Sequence, residues 1–154
     1  MTRSDGEPDA TRRPLSRDSI LAAALELVDA EGLESLTMRA LGARLGVEAM
    51  SIYHHLPSKQ AVIDGIVDLV WAKVTLTGDT RDWRTAVRRT ARSAFTTLLR
   101  HPWANRIRAS SGGPARMTYI DASLGHLRSA GFTPEQAFHA HHVLEAYIQG
   151  YVIQ

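Results

Sequence analysis

The residues with the widest chemical reach in this chain are its histidines and arginines. His139 and His142 stand three apart in a segment of helical periodicity, with Glu145 a further three on. That spacing stacks imidazole and carboxylate on one helix face and is adequate for zinc or nickel. The same three residues serve equally as ordinary pocket or dimer-face side chains, and that is the reading preferred, with no metal expected. His54 and His55 are adjacent, so on a helix their side chains diverge by about 100° and do not readily share one ion. Arg84, Arg88 and Arg92 recur every four residues as a stripe that could meet a carboxylate ligand, steer DNA, or simply be solvated. No glycine-rich phosphate loop, nucleophile elbow or HExxH is present, so spacing points to neither an enzyme nor a cofactor. The absence of cysteine excludes a disulfide, a thiolate nucleophile and a zinc–thiolate site.

The elements that must position these residues read as helices throughout. Ser16 is an N-cap, Asp18 an acid in the first turn and Gly32 a stop, which predicts a helix over about 16–31 with Ile20, Ala24, Leu27 and Val28 on its apolar face. Thr37 caps a second, short helix carrying Leu41 and Leu45, which turns at Gly46. Residues 48–54 make a third. Pro57 and Ser58 open a fourth, with Val62, Ile66, Leu69 and Val70 inward and Trp71 beside them. A long helix over 82–101 presents Val87, Ala91, Ala94 and Leu98 inward. A helical piece at about 103–110, the loop SSGGP (110–114), a helix over 115–130 and a last helix from Pro134 complete the chain. No segment alternates with period two, so the fold class is all-α.

The chain's 154 residues, 44% of them apolar, suffice for one domain or a small head on a larger body. The opening MTRSDGEPDATRRPLSRD has no apolar core of signal-peptide length, and no later run approaches the ~18 apolar residues of a membrane helix. A cytoplasmic protein without membrane contact is expected. Residues 1–15, broken by Pro8 and Pro14, read as a flexible arm whose Arg12 and Arg13 could reach a phosphate. Charge is uneven: residues 1–60 hold seven Lys/Arg against nine Asp/Glu, whereas 81–116 hold nine Arg against Asp82 alone.

Two short helices joined by a tight glycine turn and packed on a longer helix match a helix-turn-helix, whose second member enters the DNA major groove. The block LAAALELVDAEGLESLTMRALGARLGVEAMSIYHHLPSKQAVIDGIVD resembles the DNA-binding head of TetR (tetracycline-repressor) family regulators, through LTMRALGARLGV, IYHHLPSK and the apolar start of the next helix. GFTPEQAFHAHHVLEAYIQG is similar to the body of the tetracycline-repressor subgroup. The resemblance implies a head over 16–60 and a helical effector-binding and dimerisation body over 61–154, the fourth helix serving both. GYVIQ falls inside what resembles the family's first dimerising helix, so the resemblance also implies a body that is incomplete at Gln154.

By the same resemblance, Thr37 and Arg39 touch phosphate or a base edge, Ala49, Met50 and Ser51 meet bases, and Tyr53, His54 and Lys59 grip the backbone. The chemistry agrees, since arginine suits guanine, methyl groups suit thymine, and Tyr, Ser and Lys suit phosphate. Trp71, Phe95, Trp103, Tyr119, Phe138, His142 and Tyr147 are the candidate lining of an effector cavity. Tetracycline-binding relatives hold the drug's magnesium partly with a histidine near the SSGGP loop; this chain has RIRASSGGP there, so that chelate is not its expected effector. The implied function is a repressor released from a palindromic operator, as a homodimer, by a small apolar or amphipathic ligand. The alternative is a helical DNA-binding or interaction protein without an inducer pocket. Because the head carries few cations, its operator affinity should fall only shallowly with salt. Binding isotherms at several ionic strengths should give a log–log slope much smaller in magnitude than about 10, and a slope near −10 would contradict it.

Overall fold

The computed structural model describes residues 14–78, 82–107 and 113–152. Most of the arm, with Arg12 and Arg13, and most of the SSGGP loop lie outside the described residues. Among them stand eight α-helices: α1 (Arg17–Glu31), α2 (Met38–Leu45), α3 (Ala49–Tyr53), α4 (Lys59–Ala72), α5 (Trp83–Arg100), α6 (Pro102–Arg106), α7 (Pro114–Ser129) and α8 (Pro134–Val152). Local chemistry sets their starts. Ser16 and Ser19 exchange a reciprocal pair, Ser19 N–H donating to Ser16 Oγ at 3.1 Å and Ser16 N–H to Ser19 Oγ at 2.9 Å. Thr37 accepts from Ala40 N–H at 3.0 Å, and Ser58 from Ala61 N–H at 3.0 Å. Asp82 accepts from Arg84 N–H and from the Thr85 hydroxyl, which holds its carboxyl below the usual range. Proline begins α6, α7 and α8, where its missing N–H is no loss.

One continuous core runs from head to body. In the head it holds Ile20, Ala24, Leu27 and Val28 of α1, with Leu36, Leu41, Ile52, Val62 and Ile66. In the body it continues through Val70 and Trp71 of α4, Ala94 and Leu98 of α5, Tyr119 of α7 and Ile148 of α8. Each fully buried aliphatic side chain contributes about 1.5–3 kcal/mol. α4 packs on α1 in the head and on α5 and α7 in the body, so it belongs to both.

Three departures from the sequence reading have local causes. A 3-10 turn, Leu33–Ser35, stands between α1 and α2; three residues are too few for periodicity to reveal it. The piece expected at 103–110 ends at Arg106, and Ile107 is extended. The inward face of α5 is Ala86, Thr90, Ala94, Thr97 and Leu98, while Val87 and Ala91 are only half-buried. Threonines hid this rotation: Thr90 can be buried because its hydroxyl accepts from Thr77 N–H at 3.3 Å and lies 3.4 Å from the Thr77 hydroxyl.

The turn between α2 and α3 imposes the tightest steric condition. Gly46 is left-handed (φ 67°, ψ 35°), a conformation that costs glycine nothing. Val47 N–H folds back to Gly42 O at 2.9 Å, and a Cβ on Gly42 would stand 2.7 Å from Val47 O. Gly42→Val should therefore displace α3 at a cost of about 1–3 kcal/mol or more. Thermal unfolding and operator titration are the checks: both a lower Tm and weakened binding are expected, and unchanged values would refute the close-approach account.

Candidate nucleic-acid interface and ligand cavity

At the tip of the head, α3 has Ile52 fully buried beneath it, so Met50, Tyr53 and His54, at i, i+3 and i+4, share the opposite, outward face. Met50 is 68% exposed and Tyr53 40%. Ala49 and Ser51 flank this face half-buried, and Arg39, His55 and Lys59 are exposed. Thr37 uses its oxygen to cap α2, which leaves its hydroxyl hydrogen able to donate outward. Lys59 opens the 14-residue α4 beside the cap Ser58, where the helix dipole and free amides favour phosphate. The face combines methyl, phenol and imidazole groups with few cations.

A polar bridge spans head and body. Asp29, in the last turn of α1, receives Trp103 Nε1–H at 2.8 Å and His101 Nδ1–H at 2.7 Å on the same oxygen. The buried His101 ring then accepts from Lys73 Nζ, just past α4, at 3.2 Å. A carboxylate only accepts and an ammonium only donates, which fixes Nδ1 as the protonated ring nitrogen. α4 is tied to α7 as well, because Asp68 Oδ1 accepts from Ala115 N–H at 2.8 Å. Gly113 allows this approach, since any Cβ there would collide with that carboxylate.

Behind the bridge lies a cavity of about 380 Å³, walled by Val67 and Trp71 of α4, Ala104 and Asn105 of α6, Ile107, Arg116 of α7, and Glu145 and Gln149 of α8. Arg116 pairs with Glu145 at 3.4 Å, and its guanidinium carbon stands 5.4 Å from the Trp71 ring centroid. The Asn105 amide donates to Gln149 O at 3.0 Å. Next to Trp71, Tyr119 lies 5.0 Å away by ring centroids, and its far side meets His141 at 5.8 Å. Burial raises the Tyr119 pKa, with the Glu145 charge adding and Arg116 opposing. Burial lowers that of His141; Glu145 opposes, while His142 and Arg116 assist.

Residues 77–154 match the model of the tetracyclin repressor-like C-terminal domain, and residues 20–66 that of bacterial regulatory proteins of the tetR family. The chain belongs to the TetR family. Among its relatives is the HTH-type transcriptional repressor DrrR1 of Streptomyces coeruleorubidus, 33% identical over 153 residues that cover 92% of this chain and 57% of DrrR1. The class C tetracycline repressor protein of Escherichia coli is 32% identical over 147 residues, 91% of this chain and 66% of the relative. The chain thus spans less than two thirds of either. ActR of Streptomyces coelicolor, solved in complex with actinorhodin, superposes with a TM-score of 0.82 at 29% identity, covering 91% of this chain and 67% of ActR.

Within this TetR-family chain the seven aromatic and histidine residues singled out for an effector site do not converge. Trp71 and Tyr119 meet at the cavity, with only Trp71 on its wall. Phe95 and Tyr147 line a separate, shallower groove between α5 and α8. Trp103 faces Asp29 in the bridge, and Phe138 and His142 stack on each other at 4.0 Å on the exposed side of α8. His139, His142 and Glu145 separate too: His139 faces Glu135 at 3.9 Å, His142 lies 2.9 Å from Phe138 O, and Glu145 turns to Arg116. Among the described residues no group of three His, Cys, Asp or Glu could hold a metal ion. Arg84, Arg88 and Arg92 are exposed, Arg84 lying 4.6 Å over the Trp83 ring. Sequence reasoning missed Asp29, His101 and Arg116, and set Glu145 beside His139 and His142 instead of Arg116, because these partners stand far along the chain with no motif to signal them.

His141 gives a pH test. Its ring is 2% exposed with Nδ1 3.0 Å from Ser123 Oγ, and Glu145, Arg116, His142 and Tyr119 surround it. Its folded pKa is lowered, so below the ordinary value of ~6.5 the unfolded chain takes up a proton that the folded chain refuses. The stability present above ~6.5 should therefore be lost as pH falls toward the depressed folded pKa. Tm measured from pH 7.5 down to 5.5 should decline less steeply in His141→Asn, and parallel profiles would sink the assignment.

Proposed function

We propose that this chain is the DNA-binding and effector-sensing part of a cytoplasmic repressor, released from its operator by a small apolar or amphipathic ligand. One observation carries the reading: α4 and α6 wall the cavity, and the same two elements are joined to the head. α4 packs on α1, and α6 reaches Asp29 through Trp103. A ligand that spreads or tightens the cavity walls acts directly on the position of the head. DrrR1 is named a repressor and ActR has been solved with actinorhodin bound; both support the reading for this relative.

Thr37, Arg39, Ala49, Met50, Ser51, Tyr53, His54 and Lys59 are the proposed DNA contacts. Arg39 and Lys59 supply charge, Met50 and Ala49 methyl contacts, and Tyr53 and His54 backbone bonds. Because Met50 and Ala49 carry little hydrogen-bonding code, shape readout adds to what Arg39 specifies. Homodimerisation falls to α8, which exposes Phe138, Val143, Tyr147 and Tyr151. Two heads then read a palindrome with recognition helices one helical turn, about 34 Å, apart. A ligand that prefers the released state by ~5.5 kcal/mol moves the population from 99:1 to 1:99.

Selection of bound DNA from a random pool tests this. An inverted repeat is expected, with half-site centres about ten base pairs apart. Tyr53→Ala with Lys59→Ala should weaken binding about tenfold or more at unchanged Tm. No enriched sequence, or a saturating effector that leaves operator affinity unchanged, would overturn the proposal.

A further inference from the structure

Among the described residues, the wall of the 380 Å³ cavity carries one cation and one anion, and their pairing is loose. Arg116 Nη2 stands 3.4 Å from Glu145 Oε2, well outside the 2.7–2.9 Å of a tight charge-assisted bond. Arg116 Nε–H is buried without any acceptor. Glu145 gains little elsewhere, its other contact being Gln149 Nε2 at 3.5 Å. Arginine offers five N–H donors and a carboxylate about four acceptor positions, so both groups keep unused capacity. Trp71 and Val67 border the pair but are themselves buried, the Trp71 ring lying beneath the Arg116 guanidinium.

Complementarity to this pair narrows the ligand. A hydrocarbon would strip water from two charges and return no bonds. A bare carboxylate would satisfy Arg116 but approach Glu145, and a bare amine would do the reverse. Only a ligand bearing an acceptor and a neighbouring donor meets both, and a ring holds the two at fixed spacing. A chelated divalent cation finds no support, since it would need several oxygen ligands where Glu145 already faces Arg116. We infer that the effector is an aromatic ring compound with a carboxylate or carbonyl and, meta to it, a hydroxyl. The acceptor binds Arg116, the hydroxyl donates to Glu145, and no metal ion takes part. This rests on the reading that the body binds an effector.

Three probes test it on the unmodified chain by thermal shift and operator release, with and without EDTA: a naphthoic acid with a meta hydroxyl, the naphthoic acid lacking that hydroxyl, and the naphthol lacking the carboxylate. The hydroxy acid should bind about tenfold tighter than either and be indifferent to EDTA. In Arg116→Gln the carboxylate should lose its advantage, so the hydroxy acid and the naphthol bind alike. In Glu145→Gln the hydroxyl should lose most of its effect. The comparison on the unmodified chain stands even where a variant fails to fold. Equal affinity for all three probes, no binding of any, or a requirement for metal would overturn the inference. Release of a bound operator by a ligand lacking both groups would also overturn it while leaving the repressor reading intact. Absence of operator binding in the same preparation would remove the repressor reading, and the effector assignment with it.

Discussion

The polar link between head and body is centred on the Asp29 carboxylate, which joins α1 to His101 and Trp103. It sits in the last turn of α1, where the helix dipole disfavours an anion by about 0.3–1 kcal/mol. Two donors on one oxygen, Trp103 and His101, more than offset this, because bonds to a charged acceptor contribute about 1.5–3 kcal/mol each. His101 is satisfied in turn by Lys73, so the network leaves no nitrogen of the ring idle. A carboxylate placed against its own helix, and held there by residues of another part of the chain, fixes the angle between head and body more than it stabilises either.

The position of α6 gives that bridge its consequence. Pro102–Arg106 is a single short helix with Trp103 on the bridge and Ala104 and Asn105 on the cavity wall. Successive residues on a helix point about 100° apart, so neighbours at 103, 104 and 105 face different surroundings by geometry alone. The shortness of α6 leaves few internal hydrogen bonds to resist a shift. A change at the cavity is therefore transmitted to Asp29 through one turn of helix.

Much of this was legible in the chain and the rest was not, for reasons of range. Ser16, Thr37 and Ser58 announce helix starts because a cap acts within three residues, and Gly46 announces the turn because its φ is positive. With Ile52 buried beneath α3, helical periodicity alone puts Met50, Tyr53 and His54 on its outward face. Asp29 and His101 are 72 residues apart and Arg116 and Glu145 29 apart, and no local rule reaches that far. The aromatic residues misled for a related reason: large apolar side chains are recognisable in a sequence, but which cavity they reach depends on helix packing. Phe138 and Tyr147 are exposed on α8 where the pattern alone offered them as cavity lining. The basic block was similarly remote from its suggested use, since Arg84, Arg88 and Arg92 stand on α5 of the body and not on the head.

How the head would move is set by its grip on α4. Leu21 of α1 fills the notch at Gly65, where a Cβ would stand 2.5 Å from the leucine methyl, so α1 and α4 interlock and cannot slide past one another. The head must therefore move with α4 as a unit. α4 has 14 residues, about 21 Å of helix at 1.5 Å per residue, with Trp71 on the cavity wall near one end and Lys59, a proposed phosphate contact, at the other. A rotation of about 5° about the Trp71 end carries Lys59 through roughly 2 Å, enough to break a phosphate hydrogen bond whose useful range is only a few tenths of an ångström. In a dimer the two heads would move in opposite senses, and the spacing of the recognition helices would change by up to twice that amount. The interlock at Gly65 thus converts a small displacement beside Arg116 and Glu145 into a change that DNA spacing can register, without any change inside the head itself.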